Sequence, residues 1–197
     1  MTPGQILFFG DSITVGYTDR RGLGWPGRIC QGLRDDNGRA TTVYNLGING
    51  DTWRGCARRW SSETAARCTD RPLGALVFAF GVNDAVSIQG EGHQVTRDES
   101  TNYATEILAA AAQAAPVLWI GPAPVDERVN ADTRGDTKWS VRNTDLTLYS
   151  NAYADAAAHI GVPYLDLMTV LKDDSIYGGA LAASDYIHPT DAGYDRI

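Results

Sequence analysis

The chain has 197 residues, 43% of them hydrophobic and 21% charged, the size and makeup of one globular domain with a substantial core. Asp and Glu number 24 against 17 Lys and Arg, a net charge of -7, so a nucleic-acid partner is not expected; the pairs Arg20, Arg21 and Arg58, Arg59 are the main breaks in that acidity. The N-terminal "MTPGQILFFG" has no basic region before its apolar run, and the run is too short for a signal or a membrane span. The chain is therefore expected to be soluble and cytoplasmic.

In chain order, "QILFF" reads as a strand that stops at Gly10-Asp11-Ser12, three turn residues that leave a hydroxyl at the strand's end. "GLGWPG", Gly22 to Gly27, formally satisfies the dinucleotide pattern G-x-G-x-x-G. It follows "TDRR" rather than a strand, and a Trp and a Pro crowd the turn where pyrophosphate would lie. Trp25 and Pro26 are expected to start a helix over 25–33, with Gly22 and Gly24 shaping the rim near Ser12. "TTVYNL" is the second strand, followed by "GINGDT" and helical character over 52–67. "ALVFAF" is the third, followed by Gly81-Val82-Asn83-Asp84 and an irregular stretch over 85–97.

A helix over 100–114 has an apolar face of Tyr103, Ile107, Leu108 and Ala111, with Asp98 and Glu99 where they suit the helix dipole. "PVLWI" is the fourth strand, an irregular stretch follows over 122–138, and helical character resumes over 139–159. "VPYLDL" is the fifth, with another irregular stretch over 172–184 before "SDYIHPTDAGY". Strand and helix alternate throughout, which predicts a parallel sheet between helices with right-handed crossovers. The irregular stretches all follow strands, and ligands bind at the carboxyl ends of strands in such sheets. Ser12 stands at one of those ends.

A serine nucleophile needs a base, an acid to orient it, and donors for the oxyanion. Of three histidines, His93 lies in a polar loop and His159 closes a helical segment, both structural or solvated positions. His188 has Asp185 three residues before it and Pro189 after it, a stiff turn in which the two side chains can converge. The pair is also a possible metal site, but no second His or carboxylate-His motif supplies further ligands. Gly47, Gly50 and Asn83 follow the second and third strands and can offer oxyanion donors. Cys30, Cys56 and Cys68 form no C-x-x-C pair and read as thiols, a Cys56 to Cys68 bridge being the alternative.

In order and spacing, Gly10-Asp11-Ser12, the glycine of "NGDT", Gly81-x-Asn83-Asp84 and Asp185-x-x-His188 resemble the four blocks of the SGNH (GDSL-type) hydrolases, from Ile6 to Gly193. The resemblance implies a three-layer α/β/α, flavodoxin-like fold with a five-stranded parallel sheet in order 2-1-3-4-5, as one domain over 1–197. It implies Ser12 as nucleophile and, through its N–H, an oxyanion donor, with Gly50 and Asn83 as the other donors and Gly47 the weaker candidate. His188 is then the general base and acid and Asp185 its orienting partner. A small-molecule ester is the implied substrate, with no cofactor and no metal.

The chain departs from the pattern at Ile13, where Leu is commoner, and in ending nine residues after His188, which leaves barely two turns for a closing helix. An α/β-hydrolase is disfavoured because G-x-S-x-G is absent. A flavodoxin-like binding module would share the fold but leave Ser12 and the Asp185-His188 pair unexplained. The loops expected beside Ser12 are polar or built of small residues, which points to short acyl groups; a lysophospholipase or thioesterase is the alternative within the family. Tyr17, Trp25 and Trp53 are candidates to line the pocket or stack on a sugar ring, or else to pack in the core.

Overall fold

The computed structural model describes residues 4–34, 38, 40–131 and 139–197. The chain forms β1 (Gln5–Gly10), α1 (Ser12–Val15), α2 (Gly24–Ile29), β2 (Val43–Gly47), α3 (Trp53–Cys56), α4 (Trp60–Arg67) and β3 (Leu73–Ala79). There follow the short strands β4 (Ser87–Ile88) and β5 (Gly92–His93), then α5 (Arg97–Ala111), β6 (Val117–Ile120) and a 3-10 turn (Glu127–Ala131). The chain continues with β7 (Trp139–Ser140), α6 (Asn143–Ile160), β8 (Tyr164–Leu165), α7 (Leu167–Leu171), α8 (Ser175–Ala182) and α9 (Asp191–Tyr194). The main sheet is parallel and ordered β2-β1-β3-β6-β8. Its strands counted in chain order give 2-1-3-4-5, with helices on both faces, the three-layer arrangement expected.

The elements form where local chemistry supports them. The α5 helix opens on a capping box, Thr96 accepting from the Glu99 N–H and Glu99 reaching back to Thr96. It buries Ala104, Ile107, Leu108 and Ala111 along one face. In α6, Gly161 closes the helix in the left-handed conformation at φ 70°. Trp53, fully buried, is ringed by Phe80 at 4.9 Å, Trp119 at 5.5 Å, Phe78 at 5.9 Å and Tyr153 at 6.5 Å. Trp25 packs edge-on against Phe8 at 5.3 Å. Both tryptophans are core residues, and burial of each such side chain contributes about 1.5–3 kcal/mol.

Several boundaries differ from expectation. The helix expected over 52–67 is two, because the backbone leaves helical geometry at Arg59 (φ -130°, ψ -29°) and its guanidinium turns inward to Asp51. Trp139, expected in a helix, lies in β7 and pairs with Ile88 of β4; the helix begins at Asn143. The stretch expected to be irregular over 172–184 contains α8, capped by Asp174, whose carboxylate accepts from the Ile176 and Tyr177 N–H groups. Its Gly178-Gly179 pair masked that helix, which is held instead by the burial of Tyr177 and Leu181. The last helix, α9, buries Gly193 and Tyr194. Cys30, Cys56 and Cys68 are all free thiols.

Candidate active site

The register of the sheet aligns three strand ends. Gly10 of β1 stands opposite Gly47 of β2 and Ala79 of β3, so the segments after them emerge side by side at the switch point between β1 and β3. A Cβ on Gly10 would overlap the Thr14 side chain and the Ala79 carbonyl, so only glycine allows so abrupt a turn from strand to helix. Asp11 caps α1, its Oδ1 accepting from the Ile13 N–H at 2.9 Å. That cap sets Ser12 as the first helical residue, 8% exposed at the cleft floor.

The C-terminal block reaches Ser12 from 176 residues away. His188 Nε2 is 2.7 Å from Ser12 Oγ, and His188 Nδ1 is 2.7 Å from Asp185 Oδ2. The other oxygen of Asp185 accepts from the backbone N–H groups of His188 at 2.8 Å and Ile187 at 3.1 Å. Partial burial works to raise the Asp185 pKa, but the hydrogen bonds from His188 outweigh it and hold the carboxyl down at about 2. Tyr17 lies edge to face against the imidazole, ring centres 4.7 Å apart. The Tyr17 carbonyl accepts from the Tyr194 hydroxyl at 2.7 Å, and the Thr18 hydroxyl donates to the Pro189 carbonyl at 3.0 Å.

Opposite the imidazole, Gly50 and Asn83 line the same cleft. Gly50 adopts φ 75°, a turn that glycine takes without strain. Gly47 does not line the cleft: its N–H donates to Asn45 Oδ1 at 3.1 Å, and it packs tightly beneath α1. Asn83 Nδ2 donates to the Asp51 carbonyl at 3.0 Å and, more weakly, to Asp11 Oδ2 at 3.3 Å. Two buried acids underlie this side. Burial pushes Asp11 up to about 6 against the Ile13 hydrogen bond, and pushes Asp84 up to about 7 against those of Ser100 and Trp53. Asp84 Oδ1 accepts from Ser100 Oγ and the Trp53 N–H, while its Oδ2 has no partner among the described residues.

The cleft has a volume of about 620 Å³. Ile13, Val82, Val86, Val129, Ile187 and Trp139 give it apolar wall; Asn49, Gln94 and Tyr17 give it polar rim. Of the three aromatic candidates, only Tyr17 lines it. Trp139 was hidden because its strand depends on a pairing 51 residues away in sequence. Gly24 packs against Gly16 and the Thr14 carbonyl behind α1, and neither it nor Gly22 lines the cleft. His93 bonds the Ala85 carbonyl and packs on Tyr149, and His159 sits in the last turn of α6. Among the described residues, no group of three His, Cys, Asp or Glu converges on a metal position, and no helix is long and apolar enough to cross a membrane.

The model of the GDSL-like Lipase/Acylhydrolase family matches residues 8–196. The chain belongs to that family and is an ester-bond hydrolase. Among solved structures it is similar to Axe2, an acetylxylan esterase from Geobacillus stearothermophilus, at 21% identity and TM-score 0.69, covering 99% of this chain and 92% of that one. It is similar to LAE5, an alpha/beta hydrolase enzyme from the metagenome of Lake Arreo, Spain, at 19% identity and TM-score 0.70 with the same coverage. A lipase/acylhydrolase from Enterococcus faecalis is 23% identical with TM-score 0.70, covering 98% of this chain and 90% of that one. A search of curated proteins gave no match.

Proposed function

We propose that the chain hydrolyses carboxylic esters of short acyl groups through an acyl-enzyme on Ser12, in one domain spanning 1–197. The observation that carries this reading is the unbroken relay from Asp185 through His188 to Ser12, both links 2.7 Å. Ser12 Oγ attacks the ester carbonyl carbon as His188 Nε2 takes its proton. The carbonyl oxygen becomes an oxyanion facing the N–H groups of Ser12 and Gly50 and the Asn83 amide. Collapse breaks the bond to the alcohol, which leaves with the proton from His188. Water, deprotonated by the same imidazole, then releases the acid and restores Ser12. Asp185 stays ionised through the cycle and holds the Nδ1 proton in place.

Two further observations support these roles. Structures similar to this chain include Axe2 variants described as catalytic mutants, one altered at a serine and one at a histidine. Beside its apolar wall the cleft carries the polar groups of Asn49, Gln94, Asn130 and Tyr17, which suit a small acyl group on a polar alcohol. The experiment is a p-nitrophenyl ester series of increasing acyl length, run with the native chain and Ser12→Ala, together with a serine-directed phosphonate. Expected are a kcat/KM maximum at acetyl to butyryl, one phosphonate adduct on Ser12, and a loss of ~10⁴-fold or more in the variant. A maximum at long acyl chains overturns the substrate size, and near-normal turnover by Ser12→Ala overturns the mechanism.

A further inference from the structure

Arg59 lies outside the cleft, yet it makes more polar contacts than any group inside it. Its side chain is 13% exposed, and all five of its N–H donors are engaged. Nε and Nη2 reach Asp51 Oδ2 at 2.9 and 2.6 Å, Nη1 reaches the Leu46 carbonyl at 2.8 Å and Glu63 Oε1 at 3.2 Å, and Nη2 reaches the Gly10 carbonyl at 3.3 Å. Three of these acceptors bracket the site. Gly10 ends β1 two residues before Ser12, Leu46 lies at the end of β2, and Asp51 follows Gly50 directly. The planar fork thus ties two strand ends to the turn between β2 and α3.

We infer that Arg59 is a positioning residue for the oxyanion hole. The Asp51 carbonyl is where the Asn83 amide rests, at 3.0 Å, and the Gly50 N–H belongs to the same turn. Holding Asp51 against Gly10 therefore sets two donors, from separate loops, relative to Ser12. A displacement on the order of 1 Å at such a site reduces rate by ~10²-fold. The turn has few other anchors: the Ile48 N–H donates to the Gly10 carbonyl at 3.0 Å and the Asp51 N–H to the Ile48 carbonyl at 3.1 Å. Of the Asp51 side chain, Oδ1 accepts from the neighbouring Thr52 N–H at 2.9 Å, a bond within the turn, while Oδ2 is held by Arg59, its tie to the strand ends. The inference rests on the reading of Asn83 and Gly50 as oxyanion donors, and the test separates the two.

The test is a double-mutant cycle in kcat with Arg59→Lys and Asn83→Ala. Lysine keeps the charge but loses the fork that spans Gly10, Leu46 and Asp51 together. Expected is a kcat reduced by about 10- to 100-fold with KM changed by less than ~3-fold, since a misplaced oxyanion donor is felt only in the transition state. In the Asn83→Ala background the same substitution should cost at least ~5-fold less, because part of what Arg59 positions is already gone. Equal loss in both backgrounds, a loss confined to KM, or no loss overturns the inference. A normal kcat in Asn83→Ala alone overturns the oxyanion reading and this inference with it, whereas a crippled Asn83→Ala beside a normal Arg59→Lys overturns this inference only. If Arg59→Lys does not fold, Asp51→Asn, which keeps the side-chain volume and removes the charge that the guanidinium neutralises, takes its place in the cycle with the same expected outcomes.

Discussion

The two sides of the cleft are held by different means. The side proposed to hold the oxyanion is assembled from residues 10 to 84, around the first three strand ends, and its ties are inward: Arg59 to Asp51, Leu46 and Gly10, Asn83 to Asp51, Asp84 to the Trp53 N–H. The imidazole side joins the chain's last residues to the loop after α1, and its ties run out to the surface. Arg20 meets Asp191 and Arg21 meets Asp195 in solvent, and only Arg28 with Asp19 is buried beneath them. Thr18 and Tyr186, the two non-glycine residues with positive φ among the described residues (71° and 73°), both flank this side. Donors that meet a developing charge need fixed geometry in low dielectric, which burial supplies. In the proposed mechanism the imidazole is oriented locally by Asp185, so the outer latch has only to keep its loop in place.

The largest expected effect falls on the imidazole side. In Asp185→Asn the Asn Oδ1 can still accept from the His188 and Ile187 N–H groups, so the turn survives. Its NH₂ would then face His188 Nδ1, which must become the acceptor, moving the ring proton to Nε2 where it blocks proton transfer from Ser12. The expectation is a kcat lowered by ~10⁴-fold with the melting temperature little changed. A loss below ~10-fold would mean that the imidazole is oriented by its other neighbours, Tyr17 first among them. Next in size is Asn83→Ala, expected to lower kcat by ~10²–10³ with little change in KM. An effect on KM alone would make Asn83 a substrate-binding group, and the contrast between the two sides would lose its chemical meaning.

The buried oxyanion side also has a cost that appears in the pH dependence of stability. Asp11 and Asp84 have folded pKa values of about 6 and about 7, above the ordinary 3.8. The folded state therefore binds more protons than the unfolded one between those values. Stability from these groups is complete below about pH 4 and is lost as pH rises through about 6 and 7. Asp84→Asn keeps an oxygen for Ser100 and the Trp53 N–H while removing the charge. Its melting temperature should exceed that of the native chain by about 5 °C at pH 8, with no such gain at pH 4. An equal change at both pH values would show that Asp84 acts through packing and not through its buried charge.

Ser12, Gly50 and Asn83 were legible because each follows a strand end marked by a short apolar run and glycine, and Asp185 and His188 because they stand three apart in a stiff turn before Pro189. The alternation of strand and helix made the parallel sheet legible, whereas its order 2-1-3-4-5 came only from the resemblance to the SGNH hydrolases. What stayed hidden depends on pairing at a distance. Trp139 continues a helix-like composition, and only its ladder with Ile88 makes it a strand and a cleft wall. Trp53 follows Gly50 so closely that it reads as a pocket residue, yet α3 begins there and buries it among Phe78, Phe80 and Trp119. Arg59 is one of two adjacent arginines, and nothing in their order tells which turns inward; that choice is made where α3 ends and α4 begins.

The smallest expected effect tests the outer latch itself. Arg21 donates to both oxygens of Asp195 at 2.8 and 2.7 Å, but the two side chains are 47% and 49% exposed. Solvent and salt screen such a pair, so Arg21→Ala should lower the melting temperature by at most ~3 °C, and less at high salt. Asp195 keeps its bond from Arg28 Nε at 2.6 Å, and the His188 loop keeps the Thr18 to Pro189 and Tyr194 to Tyr17 bonds. With those ties intact, kcat/KM should stay within about twofold of the native chain, against the ~10²–10³ expected at Asn83. Measuring both quantities across a salt series makes the comparison sharp: a tenfold or larger fall in kcat for Arg21→Ala, mimicked by salt in the native chain, would show that surface charge holds the imidazole in register with Ser12. The two sides of the cleft would then need equal rigidity, and the outer ion pairs would count as part of the catalytic framework.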